Sequence, residues 1–302
     1  MAYRIALIAN RSSGQNSRDA EAIDRCMAGL GPDVFRLDWE PGSDMGAVID
    51  RALAQGAERV VAAGGDGTVM AVAGAMLGRG VPLGVLPLGT FNFFARGLGL
   101  SEDPDRAARQ IVDADPHEIR VGMVNGRPFL NNASLGIYPA ILKERETVYS
   151  RWGRFRTMAY WSVGKTFLRY RKPMKLTLRH DGMTRQVRTA LLFAGRSAYQ
   201  LELFGIAGAD AIDADRFAFI IARADTRLEL FRMAARLALR KPLRGRDYEL
   251  LTTDELSVET ATTRALLAFD GEKSRDAGPF RFHMSQDRLT ILLPRNPTGH
   301  AT

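Results

Sequence analysis

The feature that most limits the fold is an alternation in the first hundred residues, where short apolar runs are separated by segments of helical period. Arg4–Ala9, Val34–Trp39, Arg59–Ala63 and Leu83–Leu86 have the length and composition of strands. Between them Arg18–Leu30, Asp44–Gln55 and Thr68–Leu77 read as helices, the first with Ile23, Met27 and Leu30 on one face and the second with Ser43 as its expected N-cap. Asp103–Val112 adds one more. Strands separated by helices of this length pair in parallel, which predicts a doubly wound α/β sheet.

After about residue 115 the rhythm changes. His117–Val124, Arg127–Ser134, Met174–His180, Arg185–Ala194, Phe217–Arg223, Glu255–Thr260, Arg264–Phe269 and Arg288–Leu293 all read as strands. Asn125-Gly126 and Asp181-Gly182 suit hairpin turns. Two helical inserts are expected, near Arg154–Tyr170 and Arg227–Arg240. The second half is therefore expected to be mainly antiparallel. The predicted division is an α/β domain over 1–124, with the C-terminal segment 287–302 a candidate to complete it, and a β-rich domain over 125–286. No Pro/Gly/Ser linker separates them, which predicts tight packing with a cleft between the two.

A chain of 302 residues is ample for two cores. No apolar run reaches the eighteen or so residues that span a bilayer, and Ile5–Ala9 is too short for a signal-peptide core. Cys26, the only cysteine, has no intrachain partner and no zinc-ligand spacing around it. The expected location is the cytoplasm, with peripheral contact at the inner face of the membrane left open. The net charge of +8 favours anionic partners.

The sharpest local feature is Gly64-Gly65-Asp66-Gly67-Thr68, at a strand-to-helix junction. Glycines let a backbone approach a ligand closely, and the helix N-terminus just beyond offers free N–H groups and a positive dipole end. A bare carboxylate would repel phosphate, so Asp66 calls for contact with Mg²⁺; the bland alternative is a tight turn with Asp66 capping the helix. No Gly-Lys-Ser/Thr follows, so this is not a Walker A loop. Two further loops are expected at the same carboxyl edge: Pro87–Arg96, bearing Gly89, Thr90 and Asn92, and Asn10-Arg11-Ser12-Ser13-Gly14. Late in the chain comes Phe269-Asp270-Gly271-Glu272. Phosphoryl transfer needs a carboxylate to take the acceptor's proton, and Asp270 and Glu272 are candidates for it; Asp-Gly is also a routine surface turn.

In this order, Asn-x-x-Ser-Gly, Gly-Gly-Asp-Gly-Thr, Pro-x-Gly-Thr-x-Asn and Asp-Gly-Glu, the chain resembles the diacylglycerol kinase catalytic-domain family, which includes bacterial lipid kinases, sphingosine kinases and ceramide kinase. The resemblance implies an α/β nucleotide domain and a β-sandwich domain with ATP and Mg²⁺ in the cleft. It implies ATP contacts at Asn10–Gly14, Gly64–Met70 and Thr90, and a general base drawn from Asp270 and Glu272. Phe93 stands where such kinases frequently carry an Asp of the metal network, and Arg11 where they have proline. Ala211–Phe217 resembles a segment that holds a structural Mg²⁺ in some bacterial members, with Asp215 as the carboxylate; a solvated turn is the other reading.

The basic helices bear on membrane contact. Arg232, Arg236 and Arg240 recur every fourth residue, and Trp152–Lys172 interleaves cations with aromatic residues. Core-facing helices with solvated basic backs are the plain alternative. No nucleic-acid module accompanies the charge, and a homodimer is compatible with the sequence. The leading expectation is an ATP-dependent kinase acting on a lipid hydroxyl, diacylglycerol or a similar membrane lipid. Its alternatives are a catalytically idle nucleotide- or lipid-binding regulator on the same fold and, further off, an NAD kinase.

Overall fold

The computed structural model of the protein describes residues 3–10, 21–137, 173–224, 226–238 and 245–297. They form two compact units: the chain up to Val121 together with the chain from Ser285 onward, and Gly122–Met284. The insert expected near Arg154–Tyr170 lies outside the described residues.

The first unit is built on β1 (Ile5–Ala9), β2 (Val34–Asp38), β3 (Arg59–Gly64) and β4 (Leu83–Pro87), with β5 (Asp115–Ile119) and β18 (Leu289–Leu293) completing a six-stranded sheet. Its order is β2-β1-β3-β4-β18-β5, and every neighbouring pair is parallel except β18 with β5. Every residue of β1, β3 and β4 is buried, as continuous apolar runs demand of parallel strands covered on both faces. Among the helices are α1 (Ala22–Leu30), α2 (Met45–Ala54), α3 (Asp66–Met76), α4 (Phe93–Gly97) and α5 (Pro104–Val112). Asp44, rather than the neighbouring Ser43, caps α2 by accepting the Ala47 N–H. Arg59 is buried; its guanidinium lies 3.6 Å from the Tyr3 ring centroid and donates to the last carbonyls of α5, Ile111 and Val112. A cation is favoured at that end of a helix.

The second unit has two antiparallel sheets. One runs β10-β9-β14-β17-β6-β7, from β6 (Gly122–Val124), β7 (Arg127–Phe129), β9 (Met174–His180), β10 (Met183–Thr189), β14 (Glu255–Thr260) and β17 (Phe280–Met284). The other runs β13-β12-β11-β8-β15-β16, from β8 (Asn132–Gly136), β11 (Leu191–Gly195), β12 (Phe217–Ala222), β13 (Tyr248–Thr253), β15 (Arg264–Phe269) and β16 (Glu272–Ala277). Phe129 and Phe282 of the first sheet meet Phe217 and Phe219 of the second at centroid distances of 5.9 and 5.5 Å, all four fully buried. These rings are the centre of the sandwich.

Three expected strands divide. His117–Val124 becomes β5 and β6, Arg127–Ser134 becomes β7 and β8, and Arg185–Ala194 becomes β10 and β11, each pair in different sheets. The chain changes sheet within one or two residues, and side chains accept the amides that lose their ladder there. At the third crossing Thr189 Oγ1 accepts the Leu191 N–H at 3.1 Å and donates to Ala222 O at 2.8 Å.

Candidate active site

Because β1, β3 and β4 are parallel, their C-terminal ends deliver Asn10, Gly64–Thr68 and Pro87–Asn92 to one edge of the first sheet. Of the first loop only Asn10 is described; Arg11, Ser12, Ser13 and Gly14 lie outside the described residues. Asn10 is buried and its Nδ2 donates to Thr68 Oγ1 at 3.2 Å. Thr68 in turn folds over Gly64, where a Cβ would sit 2.6 Å from its side chain.

The two glycine turns touch. A Cβ on Gly89 would lie 2.4 Å from Gly65 Cα and 2.7 Å from Asn92 Oδ1. Asn92, in the left-handed conformation, braces its own turn: Oδ1 accepts the Gly89 N–H at 2.9 Å and Nδ2 donates to the carbonyls of Pro87 and Gly89. Asn10, Thr68 and Asn92 therefore shape the loops with their side chains. Thr90 is exposed at the tip of the second turn. Phe93 stacks on Phe91 at 5.5 Å with planes 4° apart.

What remains open is the start of α3. The helices α2 and α5 have aspartate caps, Asp44 and Asp103, but the N-cap of α3 is Gly65 and no side chain caps it. A Cβ on Gly67 would meet nothing within 4 Å. A helix N-terminus with free N–H groups and clear space above it suits an anionic ligand.

Asp66 caps a different helix from the one it begins. Its Oδ1 accepts the Phe94 N–H at 3.2 Å, in the first turn of α4, tying the two glycine turns together. Burial pushes its carboxyl above the ordinary aspartate range, against the backbone amides of Phe94, Asn92 and Phe93, which favour the ionised form. A carboxyl whose pKa is raised on folding contributes stability below its unfolded pKa and loses it as pH rises through the folded value. Once ionised, Asp66 therefore weighs against folding. Asp66→Asn keeps an oxygen for the Phe94 amide, so its melting temperature is expected to exceed that of the wild type at neutral pH, the gap closing in acid. Scanning calorimetry at both pH values checks this; a lower Tm at neutral pH contradicts it.

In the second unit Asp270 and Gly271 form the two-residue turn between β15 and β16, with φ of 44° and 90° and Phe269 opposite Glu272. Positive φ at both central residues is the type I′ hairpin that Asp-Gly favours. Asp270, expected to share the general-base role, is otherwise engaged. It is buried, and its carboxylate accepts the N–H groups of Leu130, Asn131 and Asn132 at 2.5, 2.8 and 3.0 Å, while its own N–H donates to Asn132 O. These three amides sit where the chain crosses from β7 to β8. Glu272 begins β16, is exposed, and its side chain has no hydrogen bond or ion pair with a described residue. The structure thus divides the two carboxylates, one holding backbone and one free.

Sequence reading missed the polar residues behind this turn. Asn132 Nδ2 donates to Gln200 Oε1 at 2.8 Å with both side chains buried, and Asn131 beside them is buried too. Two consecutive asparagines after Phe129-Leu130 were the available signal.

Asp215, expected as a structural-metal carboxylate, stands at φ 59° and meets a cation of the chain itself. Arg196, nearly buried, donates from Nη2 to Asp215 Oδ1 at 2.6 Å and from Nη1 to the carbonyls of Ile212 and Arg216 at 3.4 and 3.5 Å. Carboxylate and carbonyl oxygens are what a hard cation would take, and here a guanidinium occupies them, so these residues do not fit an additional metal. Chelation by EDTA is expected to leave the melting temperature unchanged. Arg196→Ala is expected to cost about 1.5–3 kcal/mol, and added Ca²⁺ or Mg²⁺ to restore part of it in the variant only. A chelator-sensitive wild type overturns this reading. Among the described residues no group of three or more His, Cys, Asp or Glu could hold a metal, and no helix is long and apolar enough to cross a membrane.

Comparison with known proteins matches these features. Residues 4–124 match the diacylglycerol kinase catalytic domain. A probable lipid kinase YegS-like of Pseudomonas aeruginosa (strain UCBPP-PA14) is 46% identical over 105 residues, 34% of this chain and 34% of its own. A protein of the same name from Pseudomonas syringae pv. tomato is 40% identical over 134 residues, 44% of this chain and 43% of its own. The aligned stretches thus span a third to under half of these relatives. A diacylglycerol kinase from Bacillus anthracis shares the fold, with a TM-score of 0.69 at 18% identity over 98% of each chain. The glycine turns laced together at the carboxyl edge of the first sheet lie within the stretch, residues 4–124, that is similar to the diacylglycerol kinase catalytic domain.

Proposed function

We propose that the chain is an ATP-dependent lipid kinase that transfers the γ-phosphoryl group of ATP to a lipid hydroxyl, with diacylglycerol or a similar membrane alcohol as acceptor. The observation that carries this is the uncapped start of α3, open above Gly67 and fixed in place by the Gly65–Gly89 and Asp66–Phe94 contacts. Backbone N–H groups and the helix dipole there hold the phosphates of ATP. Glu272 accepts the proton of the lipid hydroxyl as its oxygen bonds to the γ-phosphorus and the bond to the bridging oxygen of ADP breaks. Asp270 positions that turn without touching substrate.

A magnesium ion bound with ATP neutralises charge on the β- and γ-phosphates. Asp66, half-buried at the start of α3, is the residue that would hold it, and a cation would favour the ionised form that burial disfavours. The test supplies γ-labelled ATP, Mg²⁺ and vesicles carrying diacylglycerol or other lipid alcohols, followed by lipid extraction. Labelled lipid from the wild type and none from Glu272→Gln is expected. ATP binding without a labelled product from any lipid alcohol overturns the reading, and label in NADP when NAD is supplied redirects it.

A further inference from the structure

The helix Arg227–Ala238 of the second unit begins with a reciprocal cap: Thr226 Oγ1 accepts the Glu229 N–H at 3.3 Å and Glu229 Oε2 accepts the Thr226 N–H at 3.1 Å. Its inner face is filled by Leu230 and Met233, packed among Ile220, Ala222 and Tyr248. Its outer face was expected to be a basic stripe. Instead Arg236 turns to Asp247, 3.4 Å away, and the outward turn shows Leu228 and Phe231, 57% and 58% exposed, beside exposed Arg232. A surface helix normally turns polar residues outward. With the inner positions occupied, Leu228 and Phe231 have no core to enter.

The surrounding charge indicates what covers them. Between Arg227 and Asp247 the sequence carries seven lysines and arginines against two acidic residues: Glu229, engaged in the cap, and Asp247, paired with Arg236. Much of the chain's net charge of +8 is concentrated in this segment. A second copy docked here would set like charges against each other at close range. A bilayer with anionic headgroups satisfies both observations, taking the two apolar side chains at the headgroup boundary and the arginines at the phosphates.

We propose that the outer face of Arg227–Ala238, with Leu228, Phe231 and Arg232 at its centre, docks this protein on an anionic lipid surface. This deepens the lipid-kinase reading by naming how a chain with such a substrate reaches the bilayer, and it is testable apart from it. The measurement is co-sedimentation, without ATP, with vesicles of phosphatidylcholine and phosphatidylglycerol and with vesicles of phosphatidylcholine alone. The wild type is expected to bind the anionic vesicles, less so as salt is raised. Leu228→Ser combined with Phe231→Ser is expected to weaken binding by about 10-fold or more, and Arg232→Glu by several-fold, with unchanged melting temperature. Phosphorylation of a short-chain substrate dispersed as monomers is expected to stay at the wild-type level in both variants. Equal binding by the double variant overturns the proposal. So does a dimer that ultracentrifugation finds in the wild type and not in the double variant, since a second copy then covers the face. Loss of kinase activity toward every lipid with vesicle binding intact would count against the kinase reading and leave the docking face standing.

Discussion

Glu272→Gln is expected to lower phosphoryl transfer by about 10²–10⁴-fold, the usual worth of a positioned general base, while leaving the melting temperature within a degree or so of the wild type. Glu272 is exposed and makes no side-chain bond to a described residue, so its amide costs the fold nothing. Asp270→Asn should give the other pattern. Its carboxylate is the acceptor for three buried amides at the β7–β8 crossing, and an Asn side chain offers one oxygen and turns an NH₂ toward donors. An unsatisfied buried donor costs about 1–3 kcal/mol, so a fall in stability of about 2–4 kcal/mol is expected, with activity lost in proportion to the fraction unfolded. Denaturant titration and single-turnover transfer, measured on both variants below their melting temperatures, separate the roles. If folded Asp270→Asn loses transfer as fully as Glu272→Gln, the division of labour between the two carboxylates is wrong.

The sequence motifs located the turns but did not assign work within them. Gly64–Thr68 and Pro87–Asn92 were legible because glycine spacing at a strand-to-helix junction leaves few alternatives. That Asn10, Thr68 and Asn92 bond to the loops themselves depends on which strands lie side by side, and β1, β3 and β4 are brought together by crossovers of eighteen residues or more. The sheets of the second unit were legible as antiparallel strands, yet not their partition. A run such as Arg127–Ser134 keeps a strand's composition through the crossing at Leu130–Asn131, so nothing local marks the change of sheet. The partner that makes the crossing possible is Asp270, 138 to 140 positions further along the chain. The same long reach explains β18: Leu289–Leu293 is an ordinary apolar strand until its pairing with β4 and β5 shows that it completes the first sheet. On the helix Arg227–Ala238 the fourfold spacing of arginines suggested a stripe, but Asp247 draws Arg236 aside.

Gly89→Ala tests whether the two glycine turns work as one structure. The added methyl would lie 2.4 Å from Gly65 Cα and 2.7 Å from Asn92 Oδ1, against about 3.5–4.0 Å for unstrained carbon contacts. One neighbour is backbone and the other is a side chain held by three hydrogen bonds, so neither can swing away cheaply. The turns must separate by about an ångström, which disturbs the Asp66–Phe94 bond and the start of α3 with it. A stability loss of about 1–3 kcal/mol is expected, together with at least a 10-fold weaker affinity for a non-hydrolysable ATP analogue by titration calorimetry. Gly67→Ala supplies the contrast, because its methyl would meet nothing within 4 Å. Its melting temperature should hold while analogue affinity falls, since the methyl occupies only the space above the N-terminus of α3 where the phosphates are proposed to sit. Unchanged affinity in both variants would place the nucleotide elsewhere. A loss in Gly89→Ala alone would mean that the turns matter as a brace and that the ligand keeps clear of Gly67.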